Sequence, residues 1–416
     1  MQTRSLAPPQ TATDRPERRA LTLTISCFLV WGLAYGLLDV LNKHFQETVH
    51  VGKAQSAWLQ MAYFGAYLLL SLPAGLLLEK RGYKFGLVLA LGVTAGGALL
   101  FIPSARAASF PFFVAAMFVF ASGLCLLETA ADTYVNVLGP PEAAPRRLNL
   151  AQSFNALGVF LGPLIGGVLF FDNQNTAGPG GGQQAVQLVY LLIAAAVAIL
   201  AVIMSRARLP ESPQGRLAHD SPLGAGAEPV PLWRRRHFAF GVAAQALYVG
   251  AQVGIGAFFI NLVTETWPGL TSRGGAFMLS QAALGYLVGR FTSTWLLRWH
   301  APRALLTVYA LVNVLLCLVV AAGLPRISPI ALMGTFLFMS TMFPTIFALG
   351  VSELGPRTKR GSSIMVMAVG GGVLLPWPMG RIAELYGTPS AFLLPAACFA
   401  VIGLYGWMGA ERPSRD

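Results

Sequence analysis

Apolar residues gather along the chain into runs of about 20 or more, and the charged residues collect in the short stretches between them. A helix needs ~20 apolar residues to cross ~30 Å of hydrocarbon. Twelve runs are therefore predicted as membrane-spanning helices: 21–42, 56–78, 85–103, 110–138, 148–171, 186–206, 236–264, 275–297, 303–323, 328–352, 361–384 and 389–409. Between the sixth and seventh lies the longest polar break, 207–235. It holds Pro210, Pro213, Pro222, Pro229 and Pro231 and runs into Arg234, Arg235 and Arg236, the composition of a cytoplasmic linker. The chain thus divides into a tail (1–20), a six-helix unit (21–206), the linker (207–235), a second six-helix unit (236–410) and a short tail (411–416).

A few polar residues interrupt the pattern. Glu128, Asp132 and Asn136 fall inside the fourth run at i, i+4 and i+8, so a helix places them on one face. Asp39 stands in the same way inside the first run. A carboxylate near the bilayer centre costs roughly 2.5–3.5 kcal/mol. Such a face is tolerated when it looks into a watery or protein-lined cavity. The expectation is a polar cavity inside a helical bundle, through which a solute passes.

Composition narrows the class further. Apolar residues make up 55% of the chain and charged residues 11%, against about 25% charged in a soluble domain. The net charge of +12 does not point to nucleic acid, because the Lys and Arg lie mostly between the apolar runs. With the N-terminus inside, 22 of the 29 basic residues fall in inside segments and 6 in outside ones, so both termini are expected in the cytoplasm. Cys27, Cys125, Cys317 and Cys398 all lie within apolar runs and read as small packing residues. The first ~20 residues are polar and Pro-rich, without the short apolar core of a signal peptide. The five histidines fall in loops or at run ends, no metal-ligand spacing is present, and no phosphate-binding lysine loop occurs. An enzyme, a bound cofactor or metal and an ATP-driven pump are not expected.

The two halves show weak internal similarity. Arg146-Arg147 precedes LNLAQSFNALGVFLGPLIGG, and Lys359-Arg360 precedes GSSIMVMAVGGGVLLPWPMG at the equivalent place in the second half. Parallel six-helix repeats with a site between them are the plan of major facilitator transporters. GLLLEKRGYK (75–84) resembles the loop motif of that superfamily, with Gly75, Glu79, Arg81, Gly82 and Lys84 as a gating element between the second and third helices. FLVWGLAYGLLDVL (28–41), GLCLLETAADTYVNVLGP (123–140), RLNLAQSFNALGVFLGP (147–163), YVGAQVGIGAFFIN (248–261) and FPTIFALGVSELGPRTKRGSSIMVMAVGGG (343–372) then resemble the fucose–proton symporter family, which includes bacterial glucose/galactose transporters.

The resemblance implies an all-α major facilitator fold of twelve transmembrane helices in two six-helix bundles. It implies proton-coupled import of a monosaccharide across the bacterial cytoplasmic (inner) membrane. Asp39 and Glu128 match the acids linked to proton coupling and sugar binding, Gln152 and Asn155 match amides that contact the sugar, and Asn136 matches a polar position of the fourth helix. The chain departs from the family at Gly36, where an Asn is common, and at Asp132-Thr133 after the ETAA stretch.

The residues also carry this chemistry by themselves. Acids and amides such as Glu128, Asp132, Asn136, Gln152 and Asn155 exchange hydrogen bonds with hydroxyls. Trp31, Tyr35 and Tyr63 can cover the apolar face of a pyranose. A buried acid suits Na⁺ as well as H⁺, so Na⁺ coupling or a non-sugar solute is the alternative; a non-transporting sugar sensor is the other. The expected partners are a small sugar, H⁺ (or Na⁺) and the lipid bilayer, with no nucleic acid, and a monomeric chain. Reporter fusions should place the 207–235 segment and both termini in the cytoplasm. A periplasmic signal from 207–235 would overturn the helix assignment.

Overall fold

The structure is a computed structural model that describes residues 14–138, 144–171, 181–207, 209–210, 232–352, 354 and 358–408. Most of the 207–235 linker and both outermost tails lie outside the described residues. The helices are α1 (Asp14–Thr48), α2 (Lys53–Ser56), α3 (Trp58–Arg106), α4 (Phe110–Val137), α5 (Ala144–Phe170) and α6 (Gly181–Arg206). They continue, after a 3₁₀ turn at Leu232–Arg234, with α7 (Arg236–Thr266), α8 (Ser272–Leu296), α9 (Pro302–Ala321), α10 (Ile327–Met339) and α11 (Met342–Val351). Next come α12 (Thr358–Met367), a 3₁₀ segment Ala368–Val373, α13 (Pro376–Tyr386), α14 (Thr388–Ala391) and α15 (Leu393–Met408).

Among the described residues, ten helical segments are long and apolar enough to cross a membrane. One of them, Lys53–Arg106, has 54 residues. As a straight helix it would be about 80 Å long at ~1.5 Å per residue, far more than a bilayer needs. It folds back at Gly82, whose φ of 79° and ψ of 169° are open to glycine and strained for any other residue. α3 therefore crosses twice. The 25-residue α8, which carries Arg290, completes twelve crossings in the described chain.

Two crossings predicted as single runs are broken. The tenth is interrupted at Ser340 and Thr341, between α10 and α11. In the eleventh, the glycine-rich AVGGGV winds more tightly, into a 3₁₀ segment between α12 and α13. Gly371 thereby packs on the backbone of Ala246, Gly372 on the ring of Phe64 and Gly370 on Leu68. No side chain would fit at these contacts.

Close helix contacts inside the first half have the same origin. Gly32 and Gly36 of α1 face the backbone of Asn155 and Val159 on α5, while Gly158 and Gly162 of α5 face α1 in return. Without a hydrophobic effect between helices in lipid, such small-residue seams let dispersion and backbone contacts hold the pair. The outer surface is apolar: Leu69, Ile199, Phe291, Leu315 and Ile330 are all exposed. In water that belt would be an aggregation surface; in lipid it is the solvated face.

The halves meet through α1 with α7, α5 with α8, and α3 with the 3₁₀ segment of the eleventh crossing. Ser280 of α8 donates to the Phe160 carbonyl of α5 (2.7 Å), and Gly372 lies on Phe64 of α3. Exchanging each crossing with its counterpart in the other half turns one of these contacts into the other, as a parallel repeat requires.

The inter-half hydrogen bonds concentrate at the end of the bundle opposite the first and last helix ends, Asp14 and Met408. Asn42 Nδ2 donates to the Ala257 carbonyl (2.7 Å) and Asn261 Nδ2 to Gln46 Oε1 (2.6 Å). Lys53 Nζ reaches Glu265 (2.7 Å) and Thr388 (2.8 Å). The Ala54 amide donates to Glu384 (2.9 Å), and Ser272 donates to Glu47. At the terminal end, Lys84 donates to the Ala207 carbonyl (2.9 Å), Arg147 Nε to the Val135 carbonyl (3.1 Å) and His237 bonds Ser352 (3.0 Å). Those bonds stay within one half. The structure is therefore latched at the far end.

That latch must open for a solute to enter from the far side. A Glu47→Cys/Ser272→Cys pair, oxidised to a disulfide, should stop solute exchange in vesicles, and reductant should restore it. The native cysteines are all buried and leave the readout clean. Continued exchange after complete oxidation would show that the far end does not open.

Candidate functional site

α1 places Trp31, Tyr35 and Asp39 one turn apart on a single face. α3 runs antiparallel beside it and presents Gln60, Tyr63, Phe64 and Tyr67 at the matching helical spacing. The Tyr35 and Tyr63 ring centroids are 6.1 Å apart, and Tyr63 stacks on Tyr67 at 5.3 Å with the two hydroxyls 3.5 Å apart. Phe28 packs edge-on to Trp31 at 6.2 Å. An aromatic wall thus joins the first two crossings.

The two principal acids lie on either side of this wall. The Asp39 carboxyl rests on Gly256 of α7, where any side chain would collide with it. It is buried at the seam between the halves. Glu128 lies on α4, within electrostatic reach of Asp132, Tyr67, Tyr63 and Cys125. Its Oε2 is buried and has no hydrogen-bond partner. A buried acceptor left in this state has a hydrogen bond to offer to a ligand.

Gln152 on α5 donates to Asp132 Oδ1 at 3.4 Å. Asn155, three residues on, donates to the Phe28 carbonyl at 3.4 Å. Both bonds are long, so a better-placed hydroxyl can compete for these amides. Asn136 is placed differently. It is exposed near the terminal end of α4, and its amide donates to the Asp132 carbonyl of its own helix (3.0 Å). Arg147 bonds the Val135 and Asn136 carbonyls (3.1 and 3.2 Å) and so caps the end of α4.

The second half contributes aromatic residues and a cation. Arg290 of α8 lies over the Tyr286 ring at 5.4 Å. Tyr248 of α7 donates to the Met339 carbonyl (2.9 Å). The face is acidic on α1 and α4 and basic on α8.

The loop motif sits where α3 folds back. Gly82 makes the turn, Lys84 ties it to the end of α6 through Ala207, and Arg81 lies over Phe85 at 5.5 Å. Glu79 is exposed, and Gly75 faces open space. These residues are far along α3 from Tyr63 and take no part in the acidic cluster. Gly36 also turns away from it, toward α5, and an Asn there would strike Val159 and Pro163. Sequence reasoning missed Gln60, Tyr67 and Gln245, all buried; neither glutamine amide makes a well-formed hydrogen bond. The available signal was the inward stripe Gln60–Tyr63–Tyr67. Among the described residues no group of His, Cys, Asp and Glu is placed to hold a metal.

The family described as Major Facilitator Superfamily matches residues 21–375. The chain is 35% identical over 403 residues to a glucose/galactose transporter of Brucella abortus, covering 97% of each. It is 36% identical over 400 residues to the L-fucose-proton symporter of Escherichia coli, covering 92% of this chain and 91% of the other. A crystal structure of the E. coli fucose:proton symporter, in a variant form, superposes with a TM-score of 0.66 at 33% identity, covering 96% of this chain and 100% of that one.

The amides give a differential test. Gln152→Ala or Asn155→Ala should each cost about 1–3 kcal/mol of hydrogen bonding to a polar solute, a loss of roughly 5–150-fold in affinity. Asn136→Ala should leave affinity unchanged, because its amide is already engaged on its own helix. Equilibrium binding to purified protein reads all three; equal losses in all three would remove the distinction.

Proposed function

The chain belongs to the Major Facilitator Superfamily, and from that premise we propose that it imports a monosaccharide in symport with a proton. The observation that carries this reading is the division of the buried acids. One, Asp39, is seated in the seam between the halves; the other, Glu128, has an unpaired oxygen beside the amides of α5. The relatives named above are a glucose/galactose transporter and an L-fucose-proton symporter, which fits a solute that offers hydroxyls to such a site.

Glu128, Asp132, Gln152 and Asn155 take the sugar hydroxyls in exchange for water. Trp31, Tyr35 and Tyr63 cover the apolar ring face. Asp39 carries the proton. A charged carboxylate in a closed, dry seam costs roughly 2.5–3.5 kcal/mol, and a neutral carboxyl costs much less. Proton occupancy of Asp39 therefore biases whether α1 and α7 can close on each other. A group whose occupancy differs between two states couples proton movement to the change of state. Entry occurs at the far end, the periplasmic side, when the Lys53 and Glu47 contacts part. Release occurs at the terminal, cytoplasmic side, where Gly75, Glu79, Arg81, Gly82 and Lys84 form the opposing latch. One chain supplies both halves of the pathway, so it works as a monomer in the bacterial cytoplasmic membrane.

The test compares two assays in the same proteoliposomes. Wild-type protein should accumulate a sugar when the inside is alkaline, and a panel of monosaccharides will identify which. Asp39→Asn, which mimics the permanently neutral form, should keep sugar counterflow while losing gradient-driven accumulation. Glu128→Gln should weaken sugar binding. If both variants still accumulate sugar against its gradient, neither acid carries the coupling proton.

A further inference from the structure

The register of α1 against α3 fixes a neighbour for Asp39. Tyr35 and Tyr63 meet at 6.1 Å across the two antiparallel helices. One turn toward the far end brings Asp39 on α1 and Gln60 on α3 to the same level. Gln60 is fully buried, and its amide makes no well-formed hydrogen bond except in its approach to the Asp39 carboxyl. The Asp39 carboxyl is the polar side chain that faces it. Below them lies Gly256, and one turn further the Asn42–Ala257 bond closes the seam.

A primary amide buried in this way without a good partner is costly, on the order of 1–3 kcal/mol per unmade bond, and Asp39 is the group that can supply the bond. Gln60 is not needed to bridge the seam, since Asn42 and Asn261 already donate across it. Its amide can, however, serve both forms of a carboxyl. Nε2–H donates to a carboxylate, and after a flip of the amide Oε1 accepts from a protonated carboxyl O–H. The glutamine keeps its own protons; the proton that moves is the one on the acid.

The surrounding groups leave this role to Gln60. Around Tyr35, one turn from the pair toward the terminal end, stand the titratable side chains Tyr63 on α3, Tyr286 on α8 and Tyr248 on α7, and Glu128 on α4 lies beyond Tyr63. Arg290 sits on α8 over the Tyr286 ring. The facing stretch of α7 is Gly256 and its apolar neighbours, and the part of α5 against α1 carries no ionisable residue.

We infer that Gln60 is a positioning residue for the proton step, the hydrogen-bond partner that holds the Asp39 carboxyl when the far end is closed. This rests on Asp39 being the coupling group.

The experiment uses the full chain in proteoliposomes. Gln60→Met keeps length and burial and removes both hydrogen-bonding ends; Gln60→Asn keeps the amide and withdraws it by one methylene. Gradient-driven sugar uptake is measured across a pH series and normalised to counterflow in the same vesicles. The expected result is a half-maximal pH displaced by half a unit or more in Gln60→Met, about threefold in apparent proton affinity, with a smaller displacement in Gln60→Asn. If Gln60→Met does not reconstitute, Gln60→Asn alone is read by the same criterion. An unshifted profile overturns the role of Gln60, provided that Asp39→Asn run beside it loses accumulation. If Asp39→Asn still accumulates sugar, the coupling assignment beneath the inference has failed instead, and the inference falls with it.

Discussion

The cost of placing a carboxylate in hydrocarbon governs this molecule. Asp39, Glu128 and Asp132 all lie within crossings, and each has to be given a polar or protein-lined setting. Asp39 is buried against glycine backbone, Glu128 faces tyrosines, and Asp132 accepts from Gln152. The fold turns these faces inward and gives leucine, isoleucine and phenylalanine to the lipid.

Glycine makes that inward turn possible. At Gly256 the missing side chain is the space the Asp39 carboxyl fills, and at Gly32, Gly36, Gly158 and Gly162 it is the space that brings α1 onto α5. Close packing on one side of α1 and a polar contact on the other fix that helix between the two halves. Any movement of α7 relative to α1 must change what surrounds Asp39. The acid proposed to carry the coupling proton and the seam between the halves are therefore the same piece of structure.

The polar bonds between the halves are asymmetric along the bundle. They run from Asn42 and Gln46 out to Lys53 and Glu384 at the far end, while those at the terminal end join elements within a half. Lys53 and Glu265 are both partly exposed, so this outermost contact is wet and weak, in keeping with a joint that has to part. The Asn42–Ala257 contact nearer the midplane is dry and holds α1 and α7 in register.

The sequence by itself determined the class, the twelve crossings and the membrane acids, because a run of ~20 apolar residues and a carboxylate inside it are one-dimensional signals with large free energies. It could not decide what each polar side chain faces. Asn136 shares a helical face with Glu128, yet its amide is engaged on its own backbone. Gly36, matched to a polar position in the family, packs against α5. Gln60 stands among apolar and aromatic neighbours in the sequence and becomes significant because α3 folds back on α1 in one register. Helical periodicity assigns a residue to a face. Only the packing of one helix on another, set by glycine contacts and inter-helix registers, decides what lies opposite that face.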